Sequence, residues 1–153
     1  MMPGPRQRLV ESAVLPLVPL VPAALVGMVS GGADLGPARW AGVALVAAGL
    51  GFWLWAVVAL LRGGSSPSTT RPGELVVSGP YRYSRNPMYV GVVVALLGEA
   101  VAFESALVAV LAAVALVLFD RLVRWEEAGL RESLGGAFEA YCEQVPRWLG
   151  PPR

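Results

Sequence analysis

The sequence predicts an all-α integral membrane protein of about four transmembrane helices with a cytoplasmic C-terminal amphipathic helix, and three observations predict it. Of 153 residues, 56% are apolar and only 15% charged, where soluble domains carry roughly 25% charged residues. Residues 12–33 and 40–61 form two uncharged runs of 22 residues each; at 1.5 Å per residue each makes a helix of about 33 Å, enough to cross a bilayer. Arginines cluster on alternate connections, the pattern of cytoplasmic loops. A water-soluble core is a poor alternative, because no remaining segment is long enough to cover these runs.

The chain reads as one membrane domain, 1–153, with spans at about 10–31, 40–61, 87–103 and 105–124. Arg6 and Arg8 precede the first apolar run. That run exceeds the usual core of a signal peptide and lacks a clear small-residue cleavage site, so it is expected to remain as a span. Pro16, Pro19 and Pro22 remove backbone donors from it and predict a bend or break. Residues 31–39 form a Gly/Pro turn, and the second span carries Phe52, Trp53 and Trp55 for lipid or helix packing. The polar loop 62–86 begins with a flexible Gly/Ser stretch at 63–68 and continues as a short extended piece at 74–80 ending in a turn. Apolar sequence resumes at Pro87, well placed as the first residue of a helix. Glu99 and Glu104 mark the outer turn of a hairpin whose second arm ends in a charged tail. Beyond it Leu130, Leu134, Phe138, Tyr141 and Val145 recur at helical spacing. They predict an amphipathic helix over 126–145 that Pro146 stops.

Orientation follows from the twelve basic residues, all Arg: Arg39 alone falls on one side of this topology and the others on the opposite side. That side is expected to be the cytoplasm, together with both termini. A net charge of +1 gives no global field to recruit nucleic acid. The single cysteine, Cys142, excludes an intrachain disulfide, and without histidine or a cysteine cluster no metal site is expected.

Two polar segments meet on the expected cytoplasmic face. The first, Gly79-Pro80-Tyr81-Arg82-Tyr83-Ser84-Arg85-Asn86-Pro87-Met88-Tyr89-Val90-Gly91, sets aromatics and cations at a helix start, where free backbone donors favour an anion. It reads equally as interfacial anchoring, with Tyr and Arg touching lipid headgroups. The second, Asp120-Arg121-Leu122-Val123-Arg124-Trp125-Glu126-Glu127, puts adjacent carboxylates where the last span leaves the bilayer. Acidic pairs bind ribose hydroxyls or an ammonium group. They also form i,i+4 ion pairs on a solvated helix, as Glu127 with Arg131 would.

These residues resemble a known family. Gly-Pro-Tyr-Arg at 79–82, Arg-Asn-Pro-Met-Tyr-Val-Gly at 85–91, Glu126-Glu127, and Leu134-Gly135, Phe138, Tyr141 and Val145-Pro146-Arg147 occur in the order seen in isoprenylcysteine carboxyl methyltransferases and bacterial phospholipid methyltransferase homologues. The resemblance spans roughly 72–149. It implies an S-adenosylmethionine-dependent methyltransferase of the membrane, acting on a lipid or other lipophilic acceptor that presents a carboxylate, thiol or amine. It implies a cofactor site built from Tyr81, Arg85, Asn86, Pro87, Tyr89, Gly91, Glu126, Glu127 and Tyr141. Glu126, Glu127 and Arg147 are its implied catalytic residues. One departure stands out: the family usually has His where this chain has Asn86, and an amide hydrogen-bonds without titrating. Either that position holds the cofactor rather than moving a proton, or this member's activity is altered.

Methyl transfer from a sulfonium is an in-line displacement that needs alignment and exclusion of water, not a metal or a covalent nucleophile. An amine or thiol acceptor needs a base, for which Glu126 and Glu127 are the nearby candidates. Two other classes stay open. A membrane reductase of the sterol reductase type has a similar helical C-terminal half and would take NADPH. A four-span transporter or scaffold would usually carry a charge deep in a span, and the first two spans carry none.

Overall fold

The computed structural model describes residues 14–30, 36–62 and 75–152, and among them every regular element is helical. Arg6, Arg8, Arg71, Arg153, the start of the first span and the Gly/Ser stretch at 63–68 lie outside the described residues. The helices are α1 (Leu20–Ser30), α2 (Ala38–Arg62), α3 (Pro87–Ala102), α4 (Ala106–Leu134) and α5 (Gly136–Gln144).

The prolines of the first apolar run do more than bend it. Pro16 sits in a single 3-10 turn, Leu15–Leu17, and α1 begins after Pro19 with Pro22 in its first turn, where a missing N–H costs no intrahelical bond. The bend or break expected in the span at about 10–31 is thus a break, and beyond it α1 has 11 residues and is about 17 Å long. Two helices, α2 with 25 residues and α4 with 29, are long and apolar enough to cross a membrane; α1 and α3 are apolar but shorter.

Helices α2 and α3 make the closest crossing. Gly49 of α2 lies against Gly91 of α3, where a Cβ added to Gly49 would stand 2.5 Å from the Gly91 carbonyl oxygen. Gly42 and Gly98 repeat the arrangement seven residues away on each helix. Backbones approach this closely only where side chains are absent.

At the far end α3 and α4 join as a hairpin. Glu104 takes a positive φ of 55°, and the Ser105 hydroxyl accepts the Val108 N–H at 3.3 Å, an N-cap for α4. Ser105 also meets Ser30 at the end of α1, Oγ to Oγ 2.7 Å, and Gly27 packs on Phe103.

The amphipathic helix expected at 126–145 is not a separate element starting there. Helix α4 runs without interruption through Glu126 and Glu127 to Leu134, because nothing in 120–134 breaks it. The break falls at Gly135, whose φ of 54° and ψ of −129° suit a residue without Cβ. Helix α5 then buries Phe138 and Tyr141, with Val145 beyond it, against Leu130, Leu134 and Leu75. The extended piece expected at 74–80 is a coil at 75–77 leading into a 3-10 turn, Gly79–Arg82.

Candidate functional site

The buried face of α4 is Val108, Ala112, Ala115, Phe119, Val123 and Glu127, spaced three or four residues apart, so one stripe faces the bundle. Glu127 occupies its last position, 2% exposed, and an ionised group there needs partners. Two arginines from distant sequence supply them. Arg85 Nε donates to Oε1 at 3.0 Å, and Arg147 donates through Nε at 3.0 Å and Nη2 at 2.8 Å to Oε2. The i,i+4 pair expected between Glu127 and Arg131 does not form; Arg131 bonds Glu139 at 2.9 Å instead, because Glu127 points into the bundle. Burial opposes ionisation of Glu127, but the hydrogen bonds and charges of Arg147 and Arg85 outweigh it and hold the carboxyl below the usual range.

Arg85 also ties down the C-terminal end. Its Nη1 donates to the carbonyls of Cys142 at 3.2 Å and Val145 at 2.8 Å, orphan acceptors at the end of α5. The Arg85 N–H reaches the Pro146 carbonyl, and the Gly150 N–H reaches the Tyr83 carbonyl, both at 3.0 Å. Asn86 Nδ2 donates to the Arg147 carbonyl at 3.2 Å and lies 3.5 Å from Glu127 Oε1. The segment after α5 is thus strapped across the start of α3.

Glu126 turns about 100° away from Glu127, as consecutive helical residues do. Its Oε1 accepts the Tyr89 hydroxyl at 3.0 Å, and the Tyr89 ring rests on Phe119 with centroids 5.0 Å apart. Burial raises the Glu126 carboxyl above its ordinary range, and the Tyr89 bond only partly offsets it. Tyr81 is 8% exposed, and its hydroxyl has no partner among the described residues. Burial, then the nearby charge of Glu126, makes that phenol harder to ionise.

The structure brings Tyr81, Arg85, Asn86, Tyr89, Glu126, Glu127 and Arg147 to one end of the bundle. The other three of the expected set make packing or backbone contacts beside them. Gly91 faces Gly49 and Trp53 of α2, Pro87 is buried at the first position of α3, and Tyr141 donates its hydroxyl to the Tyr81 carbonyl at 2.7 Å. Ser84 went unrecognised in the sequence: fully buried, it accepts the Asn86 N–H at 3.0 Å and lies 3.4 Å from the Arg147 carbonyl. Its signal is a serine two residues before the position preceding a helical proline, a local turn former.

The family model described as phospholipid methyltransferase matches residues 37–136, which takes in α2, the turn at 79–82, α3, α4 and both glutamates. The chain belongs to the phospholipid methyltransferase family. Membership implies membrane methyltransferase activity, and the two long apolar helices suit a transmembrane protein. The strap that carries Arg147 lies beyond the part matched by the phospholipid methyltransferase model. No curated protein and no solved structure matches the chain.

Proposed function

We propose that this protein transfers a methyl group from S-adenosylmethionine to a lipophilic acceptor at the cytoplasmic face of the cell membrane, in a bundle that crosses the bilayer four times with both termini inside. One observation carries the reading. The segment at 85–91 and the tandem acids at 126 and 127, some forty residues apart in sequence, meet in direct hydrogen bonds, Arg85 to Glu127 and Tyr89 to Glu126.

The donor set suits the cofactor. S-adenosylmethionine presents a carboxylate, an ammonium and ribose hydroxyls. Arg85 and the quarter-exposed Arg147 offer cationic N–H groups for the first. The Asn86 side-chain oxygen offers an acceptor for the others, and Glu127 holds both guanidiniums in place. When bound, it supplies an electrophilic methyl carbon on sulfur. The residues of this chain align the partners and keep water out. Tyr89 and Phe119 form an apolar wall directly beneath Glu126, and Arg85 fixes the start of α3 to the strap. Alignment of this kind lowers a barrier by about 7 to 11 kcal/mol.

The test is calorimetry with S-adenosylmethionine on the purified protein in detergent. Arg85→Ala and Glu127→Gln are expected to weaken binding by at least about tenfold, or about 1.4 kcal/mol. Wild-type affinity in both variants removes the site, and retention of NADPH in place of S-adenosylmethionine favours a reductase.

A further inference from the structure

We infer that the two adjacent glutamates divide the work: Glu127 braces the fold, while Glu126 takes the proton from a methyl acceptor that must lose N–H or S–H. The inference rests on the methyl-transfer reading above and assigns a role within that site.

Glu127 is committed. Both of its oxygens accept from guanidiniums, three N–H bonds in all, with Asn86 Nδ2 at the limit of hydrogen-bond distance. Protonating it would strand Arg85, itself only 10% exposed, and Arg147. A group so held is a poor proton acceptor.

Glu126 is available. Its one hydrogen bond among the described residues comes from Tyr89 to Oε1, which leaves Oε2 open. The side chain is half-buried rather than sealed. The Tyr81 hydroxyl is more than nine-tenths buried, has no partner among the described residues, and lies within range of the Glu126 charge. An unsatisfied buried hydroxyl carries a desolvation penalty that a ligand removes. A hydroxyl and an open carboxylate oxygen together suit a ligand atom that both carries a proton and has a lone pair. Among the described residues, the titratable groups acting on Glu126 are Tyr89 from α3 and Tyr81 from the 79–82 turn; the guanidiniums of Arg85 and Arg147 are turned to Glu127. Burial raises the Glu126 carboxyl, in the direction that makes it a better base near neutral pH.

The step balances. At neutral pH the amine is an ammonium, so a proton on nitrogen first passes to Glu126 Oε2 and from there to water. The freed lone pair bonds to the methyl carbon, and the carbon–sulfur pair leaves with sulfur as a neutral thioether. A thiol follows the same course, whereas a carboxylate has no proton to lose and gives Glu126 no part.

The experiment uses the full chain in detergent micelles with a primary-amine phospholipid and methyl-labelled S-adenosylmethionine. At neutral pH, Glu126→Gln is expected to lower kcat by about 10²- to 10⁴-fold. Its calorimetric affinity for S-adenosylmethionine is expected to stay within about threefold of wild type, less than about 0.7 kcal/mol. As pH rises toward about 10, where an amine in solution sheds its own proton, the defect should shrink; a packing defect would not. Tyr89→Phe removes the hydrogen bond that lowers the Glu126 carboxyl, so the acid limb of kcat moves to higher pH. Three results overturn the inference: amine methylation by Glu126→Gln within about threefold of wild type, a defect that does not change with pH, or a loss of donor affinity that accounts for it. The two failures differ. A wild type that neither binds the donor nor methylates sinks the methyl-transfer reading itself, whereas an active wild type beside an active Glu126→Gln sinks only the assignment of the base.

Discussion

A carboxylate buried beneath two guanidiniums contributes to stability chiefly through what happens when it is removed. Replacing Glu127 by Ala leaves Arg85 10% exposed and Arg147 25% exposed without their counter-charge. Breaking a buried pair from one side costs about 3 to 5 kcal/mol, and the partial exposure of Arg147 puts the expected loss at the low end. Thermal unfolding in detergent measures it, and an unchanged midpoint would show that the strap is held elsewhere. The pH dependence follows from the sign of the shift. The folded carboxyl of Glu127 lies below its unfolded value of about 4.3, so its contribution is complete above that pH and fades as pH falls through the folded value. Glu126 acts in the opposite sense: its folded carboxyl lies above the unfolded value, so folding is favoured below the unfolded value and that advantage is lost as pH rises through the folded one. Unfolding midpoints followed from pH 3 to 6, in units chosen about the reference value, should therefore show a flatter acid limb in Glu127→Gln than in wild type. The burial of Glu127 was legible: counting back from it by fours gives Val123, Phe119 and Ala115, so it continues an apolar stripe. Which arginines would reach it was not, since Arg85 precedes α3 and Arg147 follows α5.

At the scale of elements, local chemistry and packing were unequally readable. Pro87 as the first residue of α3 is a backbone rule written in the sequence, and the structure starts the helix there. The three prolines announced a disruption but not that it would take the form of a 3-10 turn, Leu15–Leu17, ahead of α1. The stripe from Leu130 to Val145 concealed its own break, because Leu134 and Phe138 keep helical spacing across Gly135. Gly91 is ambiguous for a related reason: a glycine beside a ligand-binding motif and a glycine at a helix crossing look alike until the partner, Gly49, is found seven residues from Gly42 on another helix. Two predictions belong here. Gly49→Leu places a side chain where even a Cβ meets the Gly91 carbonyl and the Ala95 backbone; overpacking of this kind costs about 1 to 3 kcal/mol or more, and a backbone neighbour cannot move aside. Loss of the folded fraction on size-exclusion chromatography checks it. Gly135→Ala meets no atom within 4 Å, so its cost is conformational alone, about 1 to 3 kcal/mol. Limited proteolysis between α4 and α5 should rise while the α2–α3 pair stays protected.

For the whole molecule, the ends of the helices sort into two groups. Ser30, Gly42, Gly98, Phe103 and Ser105 gather at one end, while Arg85, Glu126, Glu127 and the strap gather at the other. Arg62 closes α2 at the site end and Arg39 opens it at the opposite end, so the described part of the chain keeps the charge asymmetry by which membrane proteins orient. Helix α3, with 16 residues, reaches about 24 Å and is shorter than a hydrocarbon core of about 30 Å; its fit requires local thinning of the bilayer or burial among longer neighbours. Four crossings therefore depend on α2 and α4 setting the depth of the bundle and carrying α3 with them. The proposal makes a specific demand on side-chain access. In a Cys142→Ser background, Arg39→Cys and Glu132→Cys, both exposed positions, should react with a membrane-impermeant maleimide from opposite sides. Glu132→Cys should label only in inside-out vesicles and Arg39→Cys only in right-side-out ones. Labelling of both from a single side would mean that α2, α3 and α4 do not all traverse the bilayer, and the proposed four-crossing topology, with the site on its inner face, would fall.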